Sequence, residues 1–288
     1  MISMAERGSS TTALGVAALR AAHQLVDGEP KILDDGVALR ILDAQALEHI
    51  RSRPAALSAP WVLGLRSHVV LRSRYAEDRL AEAVQRGLRQ YVSLGAGFDT
   101  FPYRQPEWAR VLRIFEVDHP ASQRAKRARL ESAGIEIPGN VEFVAIDFEH
   151  VSLREGLAAS RLDHNQPAFF SCLGVLVYLT EAAADAVFQV VASFPTSSEI
   201  VFTFSAPESA LGPKEAERRA AMVAMVENMG EPWRTHFDPE VLQRRLKELG
   251  FLEMSTLTPA EAEEKYFRGR EDGLRPPRRG QIARAVVG

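Results

Sequence analysis

Residues 90–104 read QYVSLGAGFDTFPYR, and this stretch decides the fold that the sequence predicts. Residues 91–94 are a short β-prone run that passes directly into Gly95-Ala96-Gly97, which is typical of a buried strand ending in a tight turn. Glycine allows a positive φ angle and lets a ligand approach the main chain, because no Cβ atom is in the way. Since ligands of open α/β sheets bind outside the carboxyl ends of parallel strands, the stretch predicts a nucleotide-binding edge.

An acidic residue follows at a distance that suits such a site. Residues 111–117 form a second apolar run, VLRIFEV, which ends in Asp118. An acid roughly 20 residues after the glycines is the usual partner of the two hydroxyls of an adenosine ribose. Asp118 would also suit the N-cap of a helix starting at Pro120, and the two roles are compatible. The glycines and the acid together favour an adenosine-containing cofactor.

The composition narrows the class of protein. The chain has 288 residues, of which 46% are hydrophobic and 25% charged, as is typical of a folded soluble protein. Its net charge of −3 provides no basic field, so we expect neither nucleic acid nor a membrane as partner. The first residues lack the apolar core of a signal peptide, and no run is long enough to span a membrane. These features predict a cytoplasmic protein.

Disulfides and metal chemistry are not expected. Cys172 is the single cysteine, so we interpret it as a small buried hydrophobe rather than half of a disulfide or a metal ligand. The seven histidines are scattered without HxxxH spacing, and we predict no metal. We interpret the basic run Arg124, Lys126, Arg127 and Arg129 as a solvated helix face, because the chain as a whole is acidic.

Helical periodicity dominates the first part of the chain, and strands alternate with helices after it. Helical stretches are predicted at 11–26, 35–50, 65–88, 120–132, 151–159, 181–194, 214–229, 239–249 and 259–266. Strands are predicted at 91–94, 111–117, 141–146, 168–172, 199–204, 251–257 and 281–287. This alternation predicts a doubly wound α/β sheet of parallel strands, with one reversed edge strand. We divide the chain into an N-terminal helical cover, residues 1–89, and a sheet domain, residues 90–288, that form one compact unit.

Six blocks of the sequence together are similar to a known family. They are TALGVAALRAAH (12–23), RSRYAEDRL (72–80), GAGFDTFPYR (95–104), FEVDHPASQRAKRARL (115–130), AIDFE (145–149) and GVLVYLT (174–180). From about residue 11 to residue 180, the chain resembles the leucine carboxyl methyltransferase-like family of class I S-adenosylmethionine-dependent methyltransferases. The resemblance implies a seven-stranded Rossmann-like methyltransferase sheet with an antiparallel last strand, a helical cover, and S-adenosylmethionine at the carboxyl edge.

The resemblance also implies which residues hold the cofactor. Gly95 and Gly97 would line its methionine side, and Asp118 would hold its ribose. Asp147, with Phe148, would flank the adenine and accept a hydrogen bond from its exocyclic amine. A structural cap is the alternative role for Asp147.

The amino-acid end of the cofactor would meet an arginine. The resemblance implies that Arg72 or Arg74 binds the cofactor's carboxylate as a bidentate fork, a geometry that suits a guanidinium, with help from Arg20. At the position of Leu173 the family usually has an acid, which would accept a hydrogen bond from the cofactor's ammonium. Loss of that bond would cost on the order of 1.5–3 kcal/mol, so a neighbouring carbonyl or a water would have to replace it.

The methyl acceptor is less well defined by the sequence. Methyl transfer from a sulfonium is an in-line displacement, in which a carboxylate acceptor needs no general base and a phenol does. The possible acceptor-site groups are Tyr103, Arg104, His119, Tyr178 and His236, and the catalytic candidates among them are Tyr178 and Arg104. An anionic small-molecule substrate is expected from the arginines at positions 104, 268, 270, 275, 278 and 279.

The favoured function is S-adenosylmethionine-dependent O-methylation of a carboxylate on a small metabolite. The alternatives are methylation of a protein C-terminal carboxylate and, because of Leu173, a non-catalytic protein that binds S-adenosylmethionine or another small molecule. A nicotinamide-dependent oxidoreductase would require a third glycine three residues after Gly97, where Thr100 stands.

Overall fold

The structure is a computed structural model that describes residues 11–147, 150–207, 234–277 and 280–288. Its strands are β1 (Gln90–Leu94), β2 (Arg113–Asp118), β3 (Val141–Ala145), β4 (Phe169–Cys172), β5 (Glu199–Ser205), β6 (Phe251–Thr256) and β7 (Gly280–Val287). They form a seven-stranded sheet in the order β3-β2-β1-β4-β5-β7-β6. This arrangement confirms the predicted α/β sheet. The strand order switches between β1 and β4, because β2 and β3 are added on one side of β1 and β4 and β5 on the other, and the glycine turn lies beside this switch point.

The reversed strand is not at the edge of the sheet. β7 pairs antiparallel with β5 on one side and with β6 on the other, whereas the pairs among β1 to β5 are parallel. The prediction of a reversed edge strand was therefore wrong in its position, although the last strand is antiparallel as expected. The burial agrees with this pairing, because Ala283 and Ala285 of β7 are fully buried, whereas Leu252, Glu253 and Ser255 of the edge strand β6 are exposed.

Helices cover both faces of the sheet. Those before the sheet are α1 (Thr11–Val26), α2 (Gly36–Arg40), α3 (Ala44–Arg51), α4 (Pro54–Leu57) and α5 (Pro60–Gln85). Those between the strands are α6 (Pro120–Ser132), α7 (Leu153–Ala158), α8 (Glu181–Ala192), α9 (Pro239–Glu248) and α10 (Pro259–Ala262), which a π-helical turn (Glu263–Phe267) extends. The helix predicted at 214–229 lies outside the described residues.

Helix boundaries follow the caps. The helix predicted at 35–50 is split in two, because the side chains of Asp35 and Asp43 each accept a hydrogen bond from the first turn of α2 or α3. The helix predicted at 65–88 begins earlier, at Pro60, a residue that suits the first helical position. It ends earlier as well, before Gly87, whose φ of 103° leaves the helical region.

The sheet and its cover share three apolar clusters. On one face, Val92, Phe115 and Phe170 pack with residues of α7, α8 and α9. On the other face, residues of β1, β2 and β4 pack against α5, which contributes Val70 and Leu71. The third cluster joins α1, α2 and α3 to Phe98, just beyond the glycine turn. The helical cover is thereby fixed over the carboxyl edge of the sheet. Among the described residues, no helix combines the length and the apolar character that crossing a membrane requires.

Candidate functional site

The turn after β1 has backbone conformations that favour glycine. Gly95 has a φ of 66° and Gly97 a φ of 46°, both in the left-handed region. A Cβ atom on Gly95 would overlap the side chain of Val175. The amides of Gly95 and Ala96 donate to the carbonyl of Val117 at 2.8 and 3.1 Å, so the turn is tied to the end of β2.

Asp118 is held by the glycine turn itself. The amide of Gly97 donates to its Oδ2 at 2.6 Å, and the amide of His119 donates to its Oδ1 at 2.6 Å. Each oxygen of the half-buried Asp118 carboxylate can accept a second hydrogen bond. The carboxylate can therefore also accept hydrogen bonds from two hydroxyl groups. The N-cap of α6 is not Asp118: His119 occupies that position, and its Nδ1 accepts from the amide of Ala121 at 3.1 Å.

Asp147 follows β3 and lies beside the same edge of the sheet. Its Oδ2 is 3.8 Å from Nε2 of His119 and 3.0 Å from Nδ1 of His150. The structure therefore brings Asp147 and Asp118 to the two sides of His119. Phe148 lies outside the described residues.

The guanidinium of Arg72 has no hydrogen-bond or ion-pair partner among the described residues. It lies on α5 beside Gly174, where a Cβ atom would come within 2.5 Å of its Nη1. Arg72 donates no hydrogen bond to the described residues, and none of their carboxylates is within the 4.0 Å of an ion pair. Burial and then the charge of Arg20 lower the pKa of Arg72 to about 10, against the opposing effects of Tyr178 and Asp99. An anion at this point would relieve both causes of the lowered pKa.

Arg20 and Arg74 have other partners. Arg20 is buried, donates to Asp35 Oδ2 at 3.0 Å and donates to the carbonyl of Phe98, so it fastens α1 to the residue that follows the glycine turn. Arg74 is two residues from Arg72 and therefore on a different face of α5. Its side chain is 45% exposed and pairs with Asp78 at 2.8 Å. Of the two alternatives for the carboxylate-binding arginine, the structure places Arg72 at the carboxyl edge.

The side chain of Leu173 has apolar surroundings. Leu173 is half-buried and packs against the cluster between the sheet and α5. The next residue, Gly174, has a φ of 75° and donates its amide to Thr203 Oγ1 at 2.7 Å. Tyr178 follows in a 3-10 turn (Leu176–Tyr178), close enough to Arg72 to affect its pKa. Arg234 and Thr235 donate their amides to the carbonyl of Val177, which brings the neighbouring His236 to the same edge.

Arg104 and Tyr103 belong to buried networks rather than to an open pocket. Arg104 donates to Glu77 Oε2 at 3.0 Å and lies 3.4 Å from Asp35 Oδ1. Burial alone would lower the pKa of Arg104, but Glu77 outweighs it and the pKa is raised. The Tyr103 hydroxyl donates to Glu116 Oε2 at 2.5 Å, and burial raises its pKa.

Lys126 shows that one sequence interpretation was wrong. It is 3% exposed, and its Nζ pairs with Oε1 of the fully buried Glu116 at 2.5 Å, whereas Arg124 and Arg127 are exposed as expected. The sequence did carry a signal for this burial: Gln123, Lys126 and Leu130 share one helix face, and all three are buried. The pair lies directly beneath Asp118 on β2 and holds α6 against the sheet.

His68 is a residue that the sequence analysis did not single out. It lies on α5 one turn before Arg72, so the two side chains share a face of the helix. Its Nδ1 is buried and has no hydrogen-bond partner among the described residues. Burial, followed by the charge of Arg72, lowers the pKa of His68 to about 3, so the imidazole is neutral at physiological pH. The spacing of four residues from Arg72 is the signal that could have identified it.

The arginines of the C-terminal loop contact the protein itself. Arg268 pairs with Glu264 at 2.8 Å, Arg270 donates to the carbonyl of Gly28 at 3.0 Å, and Arg275 donates to the carbonyl of Arg270 at 3.1 Å. Arg278 and Arg279 lie outside the described residues. Within the described ranges, no three His, Cys, Asp or Glu side chains are grouped closely enough to hold a metal ion.

The sheet order, the glycine turn and the acid after β2 define a class I S-adenosylmethionine-dependent methyltransferase fold. Two solved structures share it. A protein of Thermobifida fusca YX, described as a methyltransferase, is 19% identical with a TM-score of 0.58, and the match covers 98% of this chain and 97% of that one. A DUF574 family protein from Streptomyces avermitilis MA-4680 is 15% identical with a TM-score of 0.58, covering 94% and 97%. At these identities the likeness shows the fold.

The family itself is shown by sequence. The family described as leucine carboxyl methyltransferase matches residues 13–192, and the chain belongs to it. YktD of Bacillus subtilis (strain 168), which carries the name of an S-adenosyl-L-methionine-dependent methyltransferase, is 32% identical over 294 residues, covering 94% of this chain and 95% of that protein. A relative named in the same way from Mycobacteroides abscessus is 32% identical over 225 residues, covering 75% and 69%. The predicted family, enzyme class and cofactor are confirmed: the protein is an S-adenosylmethionine-dependent methyltransferase.

Proposed function

We propose that the enzyme is an O-methyltransferase that methylates a carboxylate of an anionic small metabolite. The main support for the cofactor site is the guanidinium of Arg72 beside Gly174, which pairs with none of the described residues. A half-buried cation without a protein counterion is costly, and a carboxylate ligand that accepts two of its hydrogen bonds offsets that cost. The amino-acid end of S-adenosylmethionine has such a carboxylate, so the residues present fit the cofactor.

The other cofactor contacts follow from the same edge of the sheet. Asp118, already oriented by two backbone amides, would accept the ribose hydroxyls, and Asp147 would accept a hydrogen bond from the adenine amine. Gly95 and Gly97 would let the methionine chain lie against the backbone. When bound, S-adenosylmethionine supplies an electrophilic methyl group on a sulfonium.

The protein's contribution to the transfer would be alignment and exclusion of water. We infer that the helical cover, residues 1–89, serves the sheet domain, residues 90–288, in this way, since a Cβ atom on Gly97 would lie 3.5 Å from Ala13 of α1. An in-line displacement needs the acceptor oxygen on the far side of the methyl group from the sulfur. The face of α5 that carries Arg72 and His68 continues to Leu65 and to Trp61, which is 57% exposed, and it would form the wall of the acceptor site.

A carboxylate acceptor is favoured by the low pKa of His68. His68, with a pKa of about 3, is a poor base at neutral pH, and a phenolic acceptor would need a better one. A carboxylate is already ionised and needs only orientation, which the neutral imidazole of His68 and the Tyr178 hydroxyl can supply as hydrogen-bond donors. Arg104 would be a structural residue in this scheme, because Glu77 and Asp35 occupy its guanidinium.

The test is a methyl-transfer assay with methyl-labelled S-adenosylmethionine and a panel of small carboxylic acids and phenols. Methyl esters release methanol in mild alkali, whereas aryl methyl ethers do not. We expect label in an alkali-labile small product. Label in an alkali-stable product would contradict the choice of a carboxylate, and label confined to a protein C-terminus would favour the peptide alternative. Tight cofactor binding with no labelled product from any acceptor would favour a binding protein without turnover.

A further inference from the structure

We propose that Asp99 binds the ammonium group of S-adenosylmethionine, in place of the acid that the family has at the position of Leu173. The inference rests on the proposed cofactor site and adds the second half of its amino-acid recognition. An α-amino acid is a zwitterion, so a site that binds its carboxylate with Arg72 needs a negative group nearby for the ammonium.

Asp99 has one carboxylate oxygen to offer. It follows the glycine turn directly, and its amide donates to the carbonyl of Ala96 at 2.8 Å. Its Oδ1 accepts from the amides of Thr100 at 2.7 Å and Phe101 at 3.4 Å, which fixes the orientation of the side chain. Its Oδ2 accepts no hydrogen bond from the described residues, and the side chain is only half-buried. A fixed carboxylate with one unused oxygen is suited to a charged donor.

Asp99 and Arg72 are near each other without touching. The negative charge of Asp99 raises the pKa of Arg72, against the larger effects of burial and Arg20, so the two groups share one electrostatic environment. No ion pair within 4.0 Å joins them. Two opposite charges that interact without forming an ion pair can bind a zwitterionic ligand between them. The carboxylate of such a ligand would face Arg72 and its ammonium would face Asp99.

The two acids near Asp99, Glu77 and Asp35, already have partners. Glu77 forms a bidentate pair with Arg104, and Asp35 is shared by Arg20 and Thr100. Leu173 lies one residue before Gly174, which contacts Arg72, but its side chain packs with apolar residues and offers no acceptor. Of these three acids, Asp99 is the one with an oxygen that accepts no hydrogen bond from the described residues, and it is the one whose charge acts on Arg72.

The experiment compares two ligands by calorimetric titration: S-adenosylhomocysteine and its analogue without the amino group, S-adenosyl-4-thiobutyrate. Asp99→Asn keeps an oxygen for the amides of Thr100 and Phe101 but removes the charge. We expect it to weaken S-adenosylhomocysteine about tenfold to hundredfold and to leave the deamino analogue within about threefold. Asp78→Asn, at an acid paired with Arg74, is the matched control and should change neither affinity.

Leu173→Glu in the Asp99→Asn background restores an acid at the family's position, and it should recover the preference for S-adenosylhomocysteine. Equal weakening of both ligands in Asp99→Asn would show a structural role for Asp99 and overturn the proposal, as would unchanged affinity for both. Failure of the unaltered protein to bind either ligand at millimolar concentration would refute the cofactor site itself. Binding of both by the unaltered protein without a preference would refute only the role of Asp99.

Discussion

Substitution of Gly174 by alanine tests whether Arg72 is the group that recognises the cofactor. The φ of 75° at Gly174 lies in the left-handed region, so any side chain there costs about 1–2 kcal/mol of stability. The new Cβ atom would also lie 2.5 Å from Nη1 and 3.0 Å from Nη2 of Arg72. The guanidinium is the end of a flexible side chain, so it would move away rather than unfold the protein. The displacement removes the bidentate geometry, and we expect S-adenosylhomocysteine to bind about tenfold to hundredfold more weakly.

Gly269→Ala is a closely matched control. Gly269 has a φ of 74°, and a Cβ atom on it would meet nothing within 4 Å among the described residues. Both variants therefore carry the same backbone strain, and only Gly174→Ala displaces Arg72. We expect equal losses of thermal stability and a loss of cofactor affinity in Gly174→Ala alone, measured by thermal unfolding and calorimetric titration. If Gly174→Ala binds S-adenosylhomocysteine as tightly as Gly269→Ala does, Arg72 is not the carboxylate-binding residue.

Three further predictions concern the groups around this site. Asp118→Ala should weaken S-adenosylhomocysteine by at least about tenfold in a titration, because the ribose hydroxyls and the amide of Gly97 lose their acceptor; unchanged affinity would contradict the ribose role. The pKa of His68 is about 3 in the folded protein and near 6.5 in the unfolded chain, so the unfolded chain binds a proton first as the pH falls. Acidification from pH 6.5 to 3 should therefore remove stability on the order of 4 kcal/mol. His68→Leu should show a smaller loss over that range in denaturant titrations, and an identical pH dependence would refute the assignment. Lys126→Met should destabilise the fold by about 3–5 kcal/mol because the buried carboxylate of Glu116 loses its cation. The added change Glu116→Gln should recover part of that loss.

The parts of the fold that local patterns determine were predictable. Each predicted strand is present with its boundaries within about two residues, because short apolar runs bounded by turn residues are a local signal. The position of β7 between β5 and β6 was not predictable in this way, since it depends on pairing between distant segments. The burial of Lys126 depends in the same way on Glu116, a partner on another element.

The site was predictable to the level of residue type and spacing. Gly95, Gly97, Asp118 and Asp147 all lie along one edge, as expected, although their roles toward the cofactor stay predictions. The sequence could not show which of Arg72 and Arg74 faces the site. That choice depends on the rotation of α5 about its axis, which is set by the packing of Val70 and Leu71 against the sheet. The rotation of α5 about its axis decides which arginine reaches Gly174, and it places His68 on the same face of the helix as Arg72.

Burial of an arginine does not by itself indicate a ligand site, whereas the lack of a protein partner does. Three arginines of the helical cover and the adjoining turn illustrate the difference. Arg66 is 2% exposed, and both oxygens of Asp27 accept from it at 2.7 Å. Arg104 is satisfied by Glu77. Arg72 has no such partner in the part of the chain that the structure describes, and the charge of Arg20 nearby is unfavourable to it, so the folded protein bears an electrostatic cost at Arg72. Ligands that bind only the native state stabilise that state. A ligand whose negative charge pairs with Arg72 also removes the electrostatic cost of the free guanidinium, and this increases its affinity. We therefore expect the deamino analogue of S-adenosylhomocysteine, which retains the carboxylate, to raise the unfolding temperature, and 5′-methylthioadenosine, which lacks it, to have a much smaller effect at equal concentration.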